Sequence, residues 1–476
     1  MMTSDYSNIG FKCGLEIHQQ LDTRKLFCAC PSIVHDEHPD IHVIRRLRAV
    51  SGEQGEVDQA AKHEQALGRK MRYEACSTSS CLVELDEEPP HPMDEEALAV
   101  VLQVATMLDA RIVDEIQVMR KTVIDGSNVS GFQRTALVAM DGMISTSQGD
   151  VRIPTICIEE EAAKKVSSDE DSVTYRLDRL GVPLIEIATE ADIVSPEHAR
   201  ETAEKLGMVL RSAGKVKRGI GSIRQDVNVS IKGGERVEIK GFQDLRNIPV
   251  VIDHEVNRQA EALKKKEALE PHVRKAEPDG TTSYLRPMPG ASRMYPETDV
   301  LPVKPAHIEY EEVELIDDRI ARFIGQYGLG DDLARSIARS DAHALFESYV
   351  KAFSNLKPTF IAESLVSVPK EMKRKMDLDV SPHDEAFRDI FSHIDSGEIP
   401  KESLMDAIAA KAQDDFRLDD FRALSDDELR NVVQEIVAQM KDKPFGAVMG
   451  EVMKRFKGKV DGKRASALIR ESRGDE

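Results

Sequence analysis

From residue 11 to about residue 300, the chain consists of short runs in which apolar and polar residues alternate. A period of two is typical of strands with one buried face, and Gly, Pro, Asn and Asp separate the runs. Helix formers dominate from about residue 305 onward, interrupted by Gly330, Pro358, Pro369, Pro382 and Pro400. This pattern predicts an α+β fold, in which a mixed α/β domain is followed by all-helical domains.

Two helices are predicted within the mixed domain. Ser195 can cap a helix whose first turn contains Pro196 and Glu197, and Gly214 can end it. Apolar residues at helical spacing predict a second helix over residues 96–112. We expect both helices to pack on the strands.

The length of 476 residues corresponds to roughly three domains of about 150 residues. The change of pattern near residue 300 and a turn cluster at 396–400 place the domains at 1–300, 301–400 and 401–476. Within the first domain, the polar, Lys/Glu-rich stretch 263–282 is predicted to be a linker.

Composition excludes several classes of protein. Apolar residues make up 41% and no apolar run approaches the ~18 residues of a membrane span. The 65 Lys and Arg against 85 Asp and Glu give a net charge of −20, which argues against binding nucleic acid by charge alone. An RNA-handling enzyme with a local basic surface remains compatible with this charge.

Six cysteines are too few for a disulfide scaffold, and the first residues lack a basic-then-apolar signal segment. We therefore expect a reducing cytoplasm. Cys28, Cys30, Cys76 and Cys81 could form a four-thiolate zinc site, but the second pair has an unusual x4 spacing and the pairs are far apart in sequence. Buried thiols that pack as small apolar side chains are the expectation.

Residues 11–21 alternate as a strand, which places Glu16 and His18 side by side on the face opposite the core. A carboxylate and an imidazole at positions i and i+2 can bind one metal ion. The alternative is an ordinary solvated strand face.

A second candidate carboxylate lies inside an apolar run, residues 182–188, which predicts a buried strand. Glu186 in this run must be protonated, paired with a base or bound to a cation, because an isolated buried charge is costly. An ion pair with Arg176 or Arg179 and metal ligation are both open from the residues alone.

Another acidic cluster, Glu159 to Glu161, follows a predicted strand. Neighbouring carboxylates repel one another unless they are solvated or share a cation, although acids at a helix start need no metal. Alternation does not decide whether Glu159 or Glu160 faces a site. One His with several carboxylates suits Mg²⁺ or Mn²⁺ better than zinc.

The stretch 219–231 predicts a strand whose polar face carries Arg224, Asp226 and Asn228, and residues 236–241 could pair with it as a hairpin. Basic and amide side chains beside flexible glycines could hold phosphates. No Walker or dinucleotide-binding motif occurs in the sequence, so a nucleotide site here would be of an uncommon type. A polar sheet face without a ligand is the alternative.

Taken together, these segments resemble a known family, the archaeal GatE subunits of glutamyl-tRNA(Gln) amidotransferase. Seven motifs in order carry the resemblance: GLEIH (14–18), KLFCAC (25–30), CLVELDEEPP (81–90), RKTVIDGSN (120–128) with SGFQR (130–134), YRLDRLGVPLIEIA (175–188), GSIRQDVNVS (221–230) and RMYPETD (293–299). The resemblance extends over nearly the whole chain, and several motifs are particular to archaeal GatE rather than to its bacterial relative GatB.

The resemblance implies a tRNA-dependent kinase and amide synthase. Such enzymes use ATP to phosphorylate the glutamate of Glu-tRNA(Gln), and ammonia from a separate asparaginase-like partner then displaces the phosphate. It also implies a heterotetramer with that partner. Activity on Asp-tRNA(Asn) as well, or a tRNA-binding scaffold without activity, are the competing hypotheses.

By this resemblance, the N-terminal domain is a cradle whose Mg²⁺ ligands are Glu16, His18, Glu160 and Glu186. It thereby favours Glu160 over Glu159. The residues expected to line the site around ATP or the aminoacyl end are Arg224, Asp226, Asn228 and Lys240.

The helical remainder would be the family's linker and tail domains, and the basic stretch 454–464 is expected to contact the tRNA body. Archaeal GatE usually carries an inserted domain between the cradle and the helical part. Only residues 263–282 are available for it here, too few for a folded domain.

Overall fold

The structure is a computed structural model, and it describes residues 6–35, 38–48, 65, 66, 68–242, 244–288, 294–422, 424–441, 443–456, 460 and 462–473. The chain forms two compact units, residues 1–315 and 316–476. Among the described residues, no helix is both long and apolar enough to cross a membrane.

The described part of the first unit combines strands with α-helices, which confirms the α+β prediction. In chain order its elements are β1 (Lys12–Gln20), β2 (Ile41–Arg46), β3 (Lys70–Ala75), α1 (Glu95–Met107), β4 (Arg111–Ile112), β5 (Val118–Thr122), β6 (Phe132–Thr146), β7 (Gly149–Glu160), β8 (Lys164–Ser168), β9 (Ser172–Arg176), β10 (Pro183–Ala188), α2 (Pro196–Ser212), β11 (Ile223–Ser230), β12 (Val237–Lys240), α3 (Ile248–Lys264), β13 (His272–Ala276), β14 (Thr282–Pro287) and β15 (Met294–Pro296).

Eleven of these strands form one large sheet in the order β14-β13-β12-β11-β1-β10-β7-β6-β5-β15, with β4 paired to β6. The predicted strand at residues 11–21 is confirmed as β1, which lies in the middle of the sheet between β10 and β11. The predicted hairpin is confirmed as the antiparallel pair β11–β12. The strand predicted at residues 182–188 is β10.

The apolar face of the large sheet forms the main core. Leu15 and Ile17 of β1 are buried together with Ile187 of β10 and with residues of α1, α2 and α3. Paired residues of an antiparallel sheet share a face, so alternate residues along these strands leave polar side chains on the other side. We call that other side the polar face.

A smaller sheet, in the order β2-β3-β9-β8, has its own core. Met71 and Tyr73 of β3 are buried there with Tyr175 of β9, and the two tyrosine rings stack with centroids 6.1 Å apart. This sheet is built from segments that leave the large sheet after β1 and after β7.

The structure confirms one predicted helix and changes two other predicted elements. The helix after Ser195 forms as predicted, with the Ser195 side chain accepting a hydrogen bond from His198 N. The helix expected over 96–112 ends at Met107, followed by Asp109 at φ 50° and the short strand β4. The stretch 263–282 is more than a linker, because it contains β13, which pairs with β12 and buries Val273 in the sheet.

The second unit is helical. Its helices are α4 (Ile316–Tyr327), α5 (Asp331–Ala338), α6 (His343–Ala352), α7 (Pro358–Met376), α8 (Glu385–Asp395), α9 (Leu404–Ala412), α10 (Leu418–Phe421), α11 (Asp426–Gln439), α12 (Phe445–Arg455) and α13 (Gly462–Arg473). Pro369 was expected to interrupt a helix, but it lies inside α7.

In the part of this unit that the structure describes, buried side chains form two separate cores. One joins α4 to α9 and includes the buried rings of Phe323, Phe346 and Phe391, and the other joins α11, α12 and α13 around Val433 and Val452. The domain boundary predicted at residue 400 falls inside the first core, because α9 packs on α8. The second core begins only after residue 421.

Candidate active site on the polar face

Five of the predicted site residues lie opposite one another in the strand register at the middle of the polar face. In the strand register, His18 lies opposite Glu186 on one side and Arg224 on the other, and Glu16 lies opposite Asp226. Directly paired residues point to the same side of a sheet. The alternation that buries Leu15 and Ile17 therefore presents this acidic and basic group together.

His18 lies at the centre of the group. Its Nε2 is 3.4 Å from Glu16 Oε1 and 3.5 Å from Glu186 Oε2. Ligand atoms lie within 4.8 Å of one another in two overlapping triads, Glu16–His18–Asp226 and His18–Glu159–Glu186. Both sets offer carboxylate oxygens with one imidazole nitrogen, the donor set that Mg²⁺ or Mn²⁺ accepts.

Glu186 lies in the group with one carboxylate oxygen that makes no hydrogen bond to the described residues. Its Oε2 is buried but has no hydrogen-bond partner among the residues that the structure describes. Burial would raise the pKa of this carboxyl, but the neighbouring His18 and the ammonium of Lys121, 3.8 Å from Oε2, outweigh it and hold the pKa at about 2. A buried ionised oxygen without a hydrogen bond is suited to accept a cation.

Glu159 faces the same group. Its carboxylate accepts hydrogen bonds from Lys121 Nζ at 3.2 Å and from Gln133 Nε2 at 3.1 Å. Burial, followed by repulsion from Glu186, raises the pKa of Glu159 to about 7. The raised pKa of Glu159 therefore reflects both its burial and the crowding of carboxylates at this site.

Glu160 lies elsewhere, contrary to the expectation that it joins Glu16, His18 and Glu186. Consecutive residues of a strand point to opposite faces, and Glu159 takes the position facing His18. Glu160 Oε1 instead accepts a hydrogen bond from the Arg134 backbone N at 2.9 Å and pairs with its guanidinium. Arg134 also binds Glu297, so Glu160 belongs to a buried ion-pair network.

Contacts also decide between the alternatives left open for Glu161 and for the partners of Glu186. Glu161 does not begin a helix, since it follows β7 and accepts two hydrogen bonds from Arg224, at 2.6 and 3.0 Å. These bonds outweigh burial and lower its pKa. The two arginines proposed as partners of Glu186 have other contacts: Arg176 pairs with Asp178, and Arg179 donates to backbone carbonyls.

Three of the four residues expected around ATP lie beside the acidic group. Arg224 and Asp226 flank His18 and Glu16 in the register, and Lys240 Nζ pairs with Asp226 at 2.5 Å. Asn228 is one strand repeat further out, where its Oδ1 accepts a hydrogen bond from Arg236 at 2.9 Å. The basic side chains Arg224 and Lys240 of the polar face are thus each paired with a carboxylate in this structure.

Sequence reasoning missed Lys121 and Gln133 as members of this site. Lys121 on β5 and Gln133 on β6 lie directly opposite each other, and both reach Glu159 on β7. The RKTVIDGSN and SGFQR motifs contain them, but their sheet order was not predictable from local pattern.

Comparison with known proteins agrees with this architecture. The family model described as the GatB/GatE catalytic domain matches residues 11–311, and the model of the GatB domain matches residues 344–472. The GatE subunit of glutamyl-tRNA(Gln) amidotransferase from Methanocaldococcus jannaschii is 35% identical over 625 residues, covering 98% of this chain and 99% of that protein. The corresponding protein of Methanosarcina barkeri is 37% identical, and the alignment covers 98% of this chain and 98% of that protein. The one from Natronomonas pharaonis is 35% identical, with 99% of each chain covered.

These alignments are longer than the 476 residues of the chain, so the relatives contain segments without a counterpart here. That the difference falls at residues 263–282 stays a prediction. The catalytic-domain match spans the whole large sheet, including every residue of the polar-face group. The chain belongs to the archaeal GatE family of glutamyl-tRNA(Gln) amidotransferase subunits.

Proposed function

We propose that the polar face is the site where this chain uses ATP to phosphorylate the γ-carboxylate of glutamate on tRNA(Gln). Attack of the carboxylate oxygen on the γ-phosphorus releases ADP, and ammonia then displaces phosphate to form the amide of Gln-tRNA(Gln). The relatives' name as glutamyl-tRNA(Gln) amidotransferase subunits supports this substrate. The observation that carries the proposal is the group around His18, in which the buried Glu186 Oε2 makes ion pairs but no hydrogen bond among the described residues.

The residues present fit a magnesium site. Glu16, His18 and Glu186 would hold the ion, with Asp226 or Glu159 completing one of the two triads. Glu160 is left out of this set because Arg134 already holds it. A bound Mg²⁺ would neutralise charge on the phosphates of ATP.

The chain's own cations would position the phosphates. Lys121 lies between Glu159 and Glu186, and its pKa is raised because these carboxylates outweigh the effect of burial. Lys121 therefore stays charged beside the acidic group. On the other side of His18, Arg224 and Lys240 would exchange part of their contacts with Glu161 and Asp226 for phosphate oxygens.

No nucleophile from the protein is required for this reaction, since the substrate supplies its own carboxylate. Catalysis then depends on alignment of two substrates and on charge neutralisation in a partly buried site. Such a site needs acids for the metal and bases for the phosphates, and that is the composition found around His18.

The proposed assembly follows from the family. We infer a complex with an asparaginase-like partner that supplies ammonia from glutamine, as a heterotetramer, acting in the cytoplasm. The tail, including Lys454 and Arg455 at the end of α12, would contact the tRNA body. Residues 457–459 and 461 of the predicted basic stretch lie outside the described residues.

Reconstitution tests the proposal. The chain is mixed with the asparaginase-like partner, ATP, Mg²⁺, glutamine and Glu-tRNA(Gln), and Gln-tRNA is measured. His18→Ala and Glu16→Gln should each lower the rate about a hundredfold or more, because loss of a ligand should cost at least as much as loss of an outer-shell partner. Thermal unfolding should change little, since both side chains lie on the face opposite the core.

Glu204→Gln provides the matched control, because Glu204 is an exposed carboxylate of α2. It should retain full activity. Near-normal turnover of His18→Ala would exclude the metal assignment. If wild-type protein binds the tRNA but forms no Gln-tRNA, the scaffold hypothesis is favoured instead.

A further inference from the structure

The polar face changes in character along a row of residues that crosses the sheet. The register places directly opposite one another, strand by strand, Arg224 on β11, His18 on β1, Glu186 on β10, Cys157 on β7 and Leu137 on β6. Directly paired residues point to the same side of a sheet. The row therefore leads from a cation, through the acidic group, to a thiol and an aliphatic side chain.

The end of this row beyond Glu186 carries no charged side chain. Two residues along the same face, Ala188 lies opposite Thr155, so an alanine and a threonine continue this end. Ala188, Thr155, Cys157 and Leu137 are all half-buried. We call these four residues the neutral strip.

Leu137 is the large aliphatic side chain of the neutral strip. Its chain neighbours Ala136 and Val138 are buried in the main core, whereas Leu137 is not among the described side chains that form or line that core. Alternation along β6 places it on the polar face instead. An aliphatic side chain on this face is available for contact with a substrate.

The two substrates must approach the acidic group from opposite sides. In phosphoryl transfer the attacking oxygen, the γ-phosphorus and the leaving oxygen lie roughly in line. Arg224 and Lys240 on the β11–β12 side suit the triphosphate, so the leaving group points toward them. The attacking carboxylate must then enter from the other side, which is over the neutral strip.

The dimensions of the neutral strip match the acylated end of a tRNA. Adjacent strands are about 5 Å apart, so Leu137 is about 10 Å from Glu186 across the sheet. In an extended glutamyl ester, four bonds of about 1.5 Å separate the γ-carboxylate carbon from the ester carbonyl, a distance of about 5 Å. With the carboxylate at the acidic group, the ester would lie over Cys157 and the terminal adenosine over Leu137.

We propose that the neutral strip binds the glutamyl-adenosine end of the acylated tRNA, with Leu137 and Cys157 contacting the glutamyl methylenes and the terminal adenosine. This inference rests on the proposed function, because it assigns one of the two substrates to one side of the same site. Uncharged side chains suit this end, since the methylenes and the base offer apolar surface that a charged residue would have to be desolvated to contact. The adenosine of ATP would lie on the other side of His18.

Steady-state kinetics of Leu137→Ala test the inference. ADP formation that depends on Glu-tRNA(Gln) is measured while each substrate is varied in turn. The kcat/KM for Glu-tRNA(Gln) should fall about tenfold, the effect of removing methylene groups from an apolar contact, while the KM for ATP stays at the wild-type value. Leu137→Met should restore most of the loss.

Met143→Ala is the matched control. Met143 is 42% exposed on the same strand, six residues or about 20 Å from Leu137. Its replacement should leave both kinetic constants unchanged.

A second measurement uses wild-type protein alone, in case Leu137→Ala does not fold. A tRNA(Gln) with a photoreactive adenosine at its 3′ end should crosslink to peptides that contain Leu137 or Cys157, whereas photoreactive ATP should not. Unchanged kinetics of folded Leu137→Ala, a raised KM for ATP alone, or ATP crosslinks to these peptides would each overturn the inference and leave the proposed function in place. Wild-type protein without tRNA-dependent ADP formation would exclude the proposed function itself, and the inference with it.

Discussion

The two faces of the large sheet are formed by the same strands but differ in role: one packs in the core and the other carries the candidate site. On β1, Leu15 and Ile17 are about 1% exposed and pack in the core, whereas Glu16 and His18 between and beside them face the polar group. On β10, Ile187 is fully buried next to Glu186. Moving by one residue along a strand therefore changes a side chain of the core into a side chain of the candidate site.

The acidic end of β7 shows the same contrast between neighbours. Glu159 faces His18 and Lys121, while Glu160 binds Arg134 in a buried ion-pair network. Both carboxyls have raised pKa values, mainly because both are buried. Burial and charge alone do not distinguish them; only the register does.

The largest expected effect is on the apolar face. Ile187→Ala removes a fully buried side chain of β10 and should lower the free energy of unfolding by about 2–5 kcal/mol. Urea unfolding measures this loss. The rate of Gln-tRNA formation per folded molecule should stay close to that of the wild-type protein. A decrease in the free energy of unfolding of less than about 0.5 kcal/mol would contradict the assignment of this face as core.

Glu160→Gln and Glu159→Gln test the same contrast between two adjacent residues of β7. Glu160→Gln removes the charge opposite Arg134 and should cost about 1.5–3 kcal/mol of stability, with activity largely retained. Glu159→Gln should instead lower the rate of Gln-tRNA formation with a smaller change in stability. Unfolding curves and turnover of both variants, measured side by side, provide the check.

The reverse outcome, with activity lost through Glu160 and stability lost through Glu159, would contradict the register-based assignment. It would favour the ligand set expected from family resemblance alone.

A smaller effect is expected from the second unit. Lys454→Ala at the exposed end of α12 should weaken tRNA binding only a few-fold and reduce the slope of log affinity against log salt by about one. Filter binding at several salt concentrations measures both. An unchanged slope would indicate that this lysine makes no phosphate contact.

Much of this architecture was predictable because alternation is a local property. The period-two pattern of residues 11–21 predicted β1 and the shared face of Glu16 and His18, and the Ser195 cap predicted the start of α2. The partners of Glu186 were not predictable. They depend on β10 lying between β1 and β7, and on Lys121 reaching across from β5, which is information about sheet order.

The cysteines considered for a zinc site illustrate the same limit. Sequence spacing groups Cys81 with Cys76, its nearest cysteine, whereas the fold brings Cys81 to Cys28 and Cys30 and leaves Cys76 beside Asp178. The Lys/Glu-rich stretch 263–282 resembles a linker in composition, because its many polar residues mask the short alternation of β13. Long-range pairing decides both cases.

Phosphoryl transfer at the polar face is measured most directly as ADP formation from ATP that depends on Glu-tRNA(Gln), in the absence of any ammonia source. Wild-type protein should show this activity and Glu204→Gln should retain it, whereas Glu186→Gln, which loses the negative charge of a proposed ligand, should lower it about a hundredfold or more. ADP formation that is equal in wild-type protein and folded Glu186→Gln would contradict the claim that the polar face is the phosphoryl-transfer site.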